Sequence, residues 1–327
     1  MTARHHAPQR GAAMLVALLI LTLVSTLATG MVWQQWRAIQ IESAERARTQ
    51  AAWILSGALD WARLILREDA RERGGADHLG EPWAVPLAEA RLSTFLAADR
   101  DNNSVAENDS LDAFLSGSII DAQSRWNLRR LVDGTGKVVP GELLVLERLC
   151  TIAGVPGDTA GRIAAGLLSA WAPATGTPGS STQEGAVVAP QRVSQLTWLG
   201  LDADTVARLE SWIVLLPSPD ATVNVLTAPA EVIAATVDGM SIGAAQRLVR
   251  ERGSIDTRGI SIDRLRGYFP ADPGVNPTGV GVASRYFIVQ GRLRLGERVL
   301  EERSLVERRQ LDIVVLLRER LTLRDGP

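Results

Sequence analysis

The chain has 327 residues, 46% hydrophobic and 22% charged, with a formal net charge of −2. That balance excludes a global pull toward nucleic acid or an anionic membrane surface and leaves only local patches to consider. The length suits an anchor plus two folded units, and the single cysteine, Cys150, excludes an intrachain disulfide.

Residues Ala12 to Trp33 form an uncharged run of 22 residues. As a helix, a run of that length crosses a hydrocarbon core of roughly 30 Å. It is longer than the apolar core of a cleaved secretory signal, about 7–15 residues. Trp33 and Trp36 close it, where an indole can face both lipid and water. Arginines flank both sides (Arg4 and Arg10; Arg37, Arg46 and Arg48), so charge bias does not set the orientation. From Gln34 to Arg73 there is no proline and one glycine, Gly57. Ile54, Ala58, Trp61 and Ile65 recur at helical steps, which predicts a continuing helix with that stripe as its apolar face. Glu42 and Arg46 can pair on the polar side, whereas Glu68 and Glu72 repel. One helix over residues 12–73 would be roughly 90 Å long.

The next polar stretch places Asp99, Asp101, Asn103 and Glu107 at positions 1, 3, 5 and 9 of a calcium-type loop. Ser104 replaces the usual glycine and Ser110 the closing glutamate, and a solvated acidic loop is the competing reading. Within residues 141–253 a pattern repeats: Leu149 to Ile163 and Val232 to Leu248 each read as helix, glycine-centred turn, helix, and Trp198 to Leu209 is a weaker copy. These suggest helix-hairpin-helix units, where glycine permits a left-handed turn. Cys150 falls in the apolar pattern of the first copy and reads as a buried small hydrophobe. Such hairpins can also hold DNA phosphate, and Gly239 to Gly243 is followed by Arg247, Arg250 and Arg252. Asp158, Asp202 and Asp204 at the other turns oppose that reading.

Residues 172–190 are a loop rich in Pro, Gly, Ser and Thr. Over 285–318 the period becomes two. Tyr286 and Ile288, then Leu293 and Leu295 after a one-residue slip at Gln290-Gly291, alternate with polar positions, and Gly296-Glu297 marks a hairpin before Val299 to Val306 and Leu311 to Leu317. The fold class expected is α+β: a long N-terminal transmembrane and stem helix packed on an antiparallel sheet, with a large all-helical insertion of hairpin repeats. Chemistry is sparse. Gly134 to Lys137 lacks the spacing of a phosphate loop. The histidines are His5, His6 and His78, so no Ser/His/Asp set can be built in the head. A two-carboxylate hydrolase stays open, and no enzyme activity is expected.

The junction Gln9-Arg10-Gly11-Ala12 joins a short polar leader to the apolar helix at once. It resembles the leader of type IV pilins and type II secretion pseudopilins. The resemblance implies that a prepilin peptidase cuts after Gly11 and leaves Ala12 as a mature, methylatable N-terminus. Most such subunits carry glutamate at the fifth mature position, which here is Val16. In the family that carboxylate meets the amine of the preceding subunit, because an unpaired charge in lipid is costly; a subunit with no predecessor does not need it. Ile120 to Leu128 resembles the family's Asp-x-x-x-x-x-Asn-Leu-Asn stretch, with Arg129 at the second Asn, and Val223 to Val232 resembles its Asn-Leu-Asn-Thr-Ala-Pro motif, with Leu226 at the second Asn. Trp171 lacks the acidic residues usual after it. Together these identify a relative of the type II secretion minor pseudopilin K family over almost the whole chain. The family implies residues 1–11 as leader, 12–33 as transmembrane helix, 34–130 as stem and first part of the head, 131–275 as inserted helical domain and 276–327 as the final strands. It implies a single-pass inner-membrane protein with its head in the periplasm. That protein would cap a pseudopilus alongside other minor pseudopilins, with calcium in the head and no nucleic-acid partner. The runner-up is a membrane-anchored DNA-binding protein.

Overall fold

The computed structural model describes residues 10–71, 75–92, 113–171, 188–256, 258–270, 279–296 and 298–324. The chain divides between Ser56 and Gly57 into two compact units. Helix α1, Arg10–Arg71, begins in the first unit. There Leu15, Leu18, Ile20, Leu23 and Leu27 all point outward. The hydroxyls of Thr22, Thr26 and Thr29 donate back to the carbonyls of Leu19, Leu23 and Ser25, so these polar groups are satisfied within the helix, as a lipid environment requires. Among the described residues α1 is the one helix long and apolar enough to cross a membrane.

In the second unit the end of α1 lies on a five-stranded antiparallel sheet. The strands are β1 (Leu87–Arg91), β2 (Ala113–Asp121), β7 (Tyr286–Leu295), β8 (Arg298–Arg309) and β9 (Asp312–Arg324), in the spatial order β1-β2-β7-β8-β9. Leu59, Ala62 and Leu66 meet Trp83, Ile119, Phe287, Val289, Val306 and Ile313 in one apolar cluster. Trp83 stands edge-on to Phe287 with ring centroids 5.2 Å apart, a favoured aromatic geometry. Arg63 and Arg67 donate to the carbonyls of Ile313 and Leu311, tying the helix to the β8–β9 reversal. That two-residue reversal places Gln310 at φ 57°, a left-handed conformation unusual for a residue with a side chain.

Two expectations are corrected here. The stripe of α1 facing the sheet is Leu59, Ala62 and Leu66 and not the one through Trp61, which is 51% exposed. Ala62 lets the helix approach closely, and an indole there would hold it off; Ile65 reaches the cluster only at its margin. Strand β7 also has no slip at Gln290-Gly291. Its register with β2 is unbroken from Ala113↔Leu295 to Asp121↔Phe287. Phe287, Val289 and Leu293 are buried on one face at period two, while Tyr286, also buried, and Ile288 pack on the other face with Ala122, Val214 and Leu216. The irregularities fall instead between Leu87 and Ala90 and between Leu305 and Val306. Gly117 opposes Gly291, and a Cβ there would sit 2.8 Å from the Gln290 carbonyl oxygen. The close crossing of two backbones explains glycine in a strand interior.

Everything between β2 and β7 is inserted. It comprises β3 (Trp126–Asn127), α2 (Pro140–Ile152), α3 (Thr159–Trp171), α4 (Ala203–Leu209), β4 (Ile213–Val214), β5 (Val223–Asn224), α5 (Ala230–Thr236), α6 (Ile242–Glu251) and β6 (Val280–Gly281). The short strands pair in parallel, β3 with β4 and β5 with β6, so the insertion is not all-helical as expected: two-residue runs brought together from distant segments pair where no local pattern marks a strand. Leu131, Leu146, Leu149, Ile163, Leu167, Leu209, Ile233 and Leu248 share one core, which also takes in Trp126, Leu128 and Val280, flanking residues 131–275. Cys150 is buried in it, and burial pushes its thiol up to about 11, an inert state. The three turns that separate the repeated helical pairs each carry a glycine of positive φ: Gly154 (65°), Gly200 (83°) and Gly239 (68°). Asp202 caps α4 and Ser241 caps α6 through their side chains.

Candidate functional site

The polar motif residues converge where the sheet meets the insertion. Asp121 ends β2 and is 2% exposed. Its Oδ1 accepts from the Gln123 amide at 2.7 Å, a local turn that Asp favours at a strand end. Its Oδ2 accepts from Thr227 Oγ1 and Ser284 Oγ, each at 2.6 Å, and from Asn224 Nδ2 at 3.1 Å. Asn224, fully buried on β5, also directs Nδ2 at the Asp77 carbonyl (2.9 Å) and Ser284 Oγ (3.0 Å). Its Oδ1 accepts from the Leu226 amide at 3.0 Å. Gln123 Nε2 donates to the Thr222 carbonyl, and its Oε1 accepts from the Arg285 amide. Asn127 accepts from the amides of Leu216 and Arg129 and donates to the Ser218 carbonyl. Each side chain bridges segments about 90 residues or more apart in sequence. Buried polar groups are tolerated when satisfied in this way.

Beside this network lies an ion-pair cluster that sequence reasoning missed. Asp69 near the end of α1, Asp77 and Glu81 place one carboxylate oxygen each within 4.8 Å of the others. Arg308 on β8 donates to Asp69 at 2.6 Å, to Asp77 and to the Ser284 carbonyl, so a guanidinium supplies the positive charge. Ser284 joins the two groups, since its amide donates to Asp77 Oδ2 at 2.6 Å. Glu81 accepts from the His78 amide at 2.9 Å and Trp83 Nε1 at 2.7 Å. Burial, reinforced by the Glu81 charge, pushes the Asp69 carboxyl up to about 6 despite Arg308. Burial, with a smaller push from the Asp77 charge, raises Asp121 to about 6 against the pull of the Ser284 and Thr227 hydroxyls, and burial also raises Glu81. A cavity of about 680 Å³ opens here, lined by Asp69, Asp77, His78, Glu81, Arg258 and Arg308 among others. Arg308 and Asp77 are 231 positions apart in sequence, so the fold alone brings them together, and no local pattern in the sequence marks either.

The other expected site residues are dispersed. Gly11 and Ala12 lie in the first turn of α1, and Val16 lies beyond them, 57% exposed. Asp99, Asp101, Asn103 and Glu107 lie outside the described residues, as does most of the 172–190 loop. Arg129, at the position of the family's second asparagine, stacks its guanidinium over Trp171 at 4.4 Å, a cation–π contact. Leu226, at the other, is buried. Arg252, counted with Arg247 and Arg250 as a possible phosphate patch, instead donates to the Val225 and Ala228 carbonyls at 3.2 and 2.5 Å and so braces the turn after β5.

Residues 223–261, which start at β5 and run past α6, match the family model described as type II secretion system (T2SS), protein K. A type II secretion system protein K from Pectobacterium carotovorum subsp. carotovorum is 26% identical over 91% of this chain and 92% of its own length. One from Pseudomonas aeruginosa is 28% identical over 89% and 86%. The fold is similar to a chain in the crystal structure of the GspK–GspI–GspJ complex from enterotoxigenic Escherichia coli. The TM-score is 0.61 at 19% identity, covering 85% of this chain and 98% of that one.

Proposed function

We infer that this chain, a relative of type II secretion system protein K along nearly its whole length, is a minor pseudopilin of that system, an assembly protein and not an enzyme. The observation that carries this reading is the end-to-end similarity to proteins of that one name. The polar junction then has a mechanical role: Asp121, Asn224 and Ser284 spend their polar atoms on one another and fix the insertion to the sheet.

A prepilin peptidase cuts after Gly11, and Ala12 becomes the N-terminus of a helix that stays in the inner membrane, with the head in the periplasm. Val16 removes the need for a preceding subunit, so the chain stands first, caps the tip and helps start the pseudopilus. The insertion blocks another subunit from docking above. We read its three glycine turns as helix-hairpin-helix units used for packing; the engagement of Arg252 with carbonyls supports this over nucleic-acid binding. The Escherichia coli chain of similar fold comes from a GspK–GspI–GspJ complex, and other minor pseudopilins are the partners proposed here. Trp61 and Leu64, 51% and 54% exposed on the side of α1 away from the sheet, suit a partner helix.

Mass spectrometry of the mature N-terminus tests the assignment. Ala12 is the expected first residue. A chain starting at Met1, or shortened beyond Trp33, would overturn the pseudopilin reading. A salt-dependent gel shift with duplex DNA separates the DNA-binding alternative, for which no shift is expected.

A further inference from the structure

The ion-pair cluster is unbalanced in charge. Asp69, Asp77 and Glu81 bring three carboxyl groups to one place; Arg308 pairs with Asp69 and Asp77, and the third, Glu81, has His78 Nε2 at 3.9 Å, a positive partner only when that imidazole is protonated. The side chains of Asp69, Asp77, Arg308 and Glu81 are 8%, 3%, 14% and 18% exposed. The charged groups facing this place come from every element around it. They are Asp69 from α1, Asp77, His78 and Glu81 from the following loop, Asp121 from β2 through Ser284, Arg285 before β7, Arg308 from β8, and Arg258 from the insertion. Three ionised carboxylates this close, this dry and with one guanidinium among them repel, and one relieves the repulsion by holding a proton. The adjoining cavity gives water a place from which to deliver that proton and to which it returns.

We propose that this cluster is a pH-sensitive clasp: Asp69 and Glu81 share a proton with the site closed in mild acid, and the clasp loosens as that proton passes to water toward alkaline pH. It would couple the tightness of the sheet–insertion junction to ambient pH, because the same Asp77 and Ser284 that face Arg308 also anchor Asn224 and Asp121. The direction follows from linkage. A carboxyl whose folded-state affinity for protons is raised contributes stability that is complete below its ordinary range. That stability is lost as pH rises through the folded value, about 6 for Asp69.

The test uses the full chain in detergent micelles, with melting temperature followed from about pH 5 to about pH 8. The wild type is expected to lose roughly 5 °C across that range. D69N/E81Q should keep no more than about half of that slope, the remainder coming from Asp121. D238N, at an exposed acid paired with Arg148 away from the cluster, should keep the wild-type slope. Infrared spectroscopy gives a readout independent of unfolding: the protonated-carboxyl stretch, present in the wild type near neutrality, should fall as pH rises and be weaker in D69N. A wild-type melting temperature that is level or rises with pH overturns the clasp. So does an unchanged slope in D69N/E81Q, or a carboxyl band that D69N leaves intact. If D69N/E81Q does not fold, E81Q alone is held to the same comparison.

Discussion

Asn224→Ala is the sharpest perturbation of the junction. The amide is fully buried and holds Asp77, Asp121 and Ser284 through Nδ2 and the Leu226 amide through Oδ1. Alanine leaves the Leu226 amide and the Asp77 carbonyl without these partners, at about 1–3 kcal/mol for each group so stranded. Asp121 loses less, because Gln123, Thr227 and Ser284 still donate to it. The sum is about 3–4 kcal/mol, and the melting temperature should fall by roughly 10 °C. Thermal unfolding of the full chain in detergent, followed by near-ultraviolet circular dichroism, reads the loss through buried Trp83 and Trp126. Thr227→Val removes a single hydroxyl donor to Asp121 and should cost about a third as much. If Asn224→Ala lies within about 1 kcal/mol of the wild type, the junction is not what holds the insertion in place.

If the chain stands first in the filament as proposed, Val16→Glu should leave secretion intact or mildly reduced in cells carrying it; complete loss would remove the first-subunit role. The double variant Trp61→Ala/Leu64→Ala should keep the wild-type melting temperature, because both side chains are exposed. It should nevertheless recover several-fold less of the other minor pseudopilins in a pull-down, and equal recovery assigns the contact elsewhere. Leu66→Ala, fully buried between α1 and the sheet, should cost about 2–5 kcal/mol in the same unfolding assay. The calcium reading of Asp99, Asp101, Asn103 and Glu107 requires that chelation lower the melting temperature and that excess calcium restore it; identical curves with and without chelator would remove it.

The candidate site was partly legible in advance. Asp121, Asn127 and Asn224 stood out through stretches that resemble the pseudopilin K family, and the structure shows that each makes a turn with its own neighbours: Asp121 with Gln123, Asn127 with Arg129, Asn224 with Leu226. Local hydrogen bonds of that kind leave a mark on sequence. Their long-range partners leave none. Ser284 and Arg308 are ordinary residues in an arginine-rich chain, and nothing near them announces Asp77 or Asp69.

The sequence by itself determined what acts over a few residues. It set an uncharged run long enough for a membrane, three turns that need a left-handed glycine, and a closing stretch of period two that makes β7, β8 and β9. Tertiary structure alone decided which stripe of α1 turns inward, why Phe287 and Val289 rather than Tyr286 and Ile288 meet it, and how five polar residues from distant segments close on one another. The physical reason is range. Backbone propensity and periodicity repeat within a turn or two of chain, whereas shape fit and burial of charge exist only after segments hundreds of residues apart have been brought together.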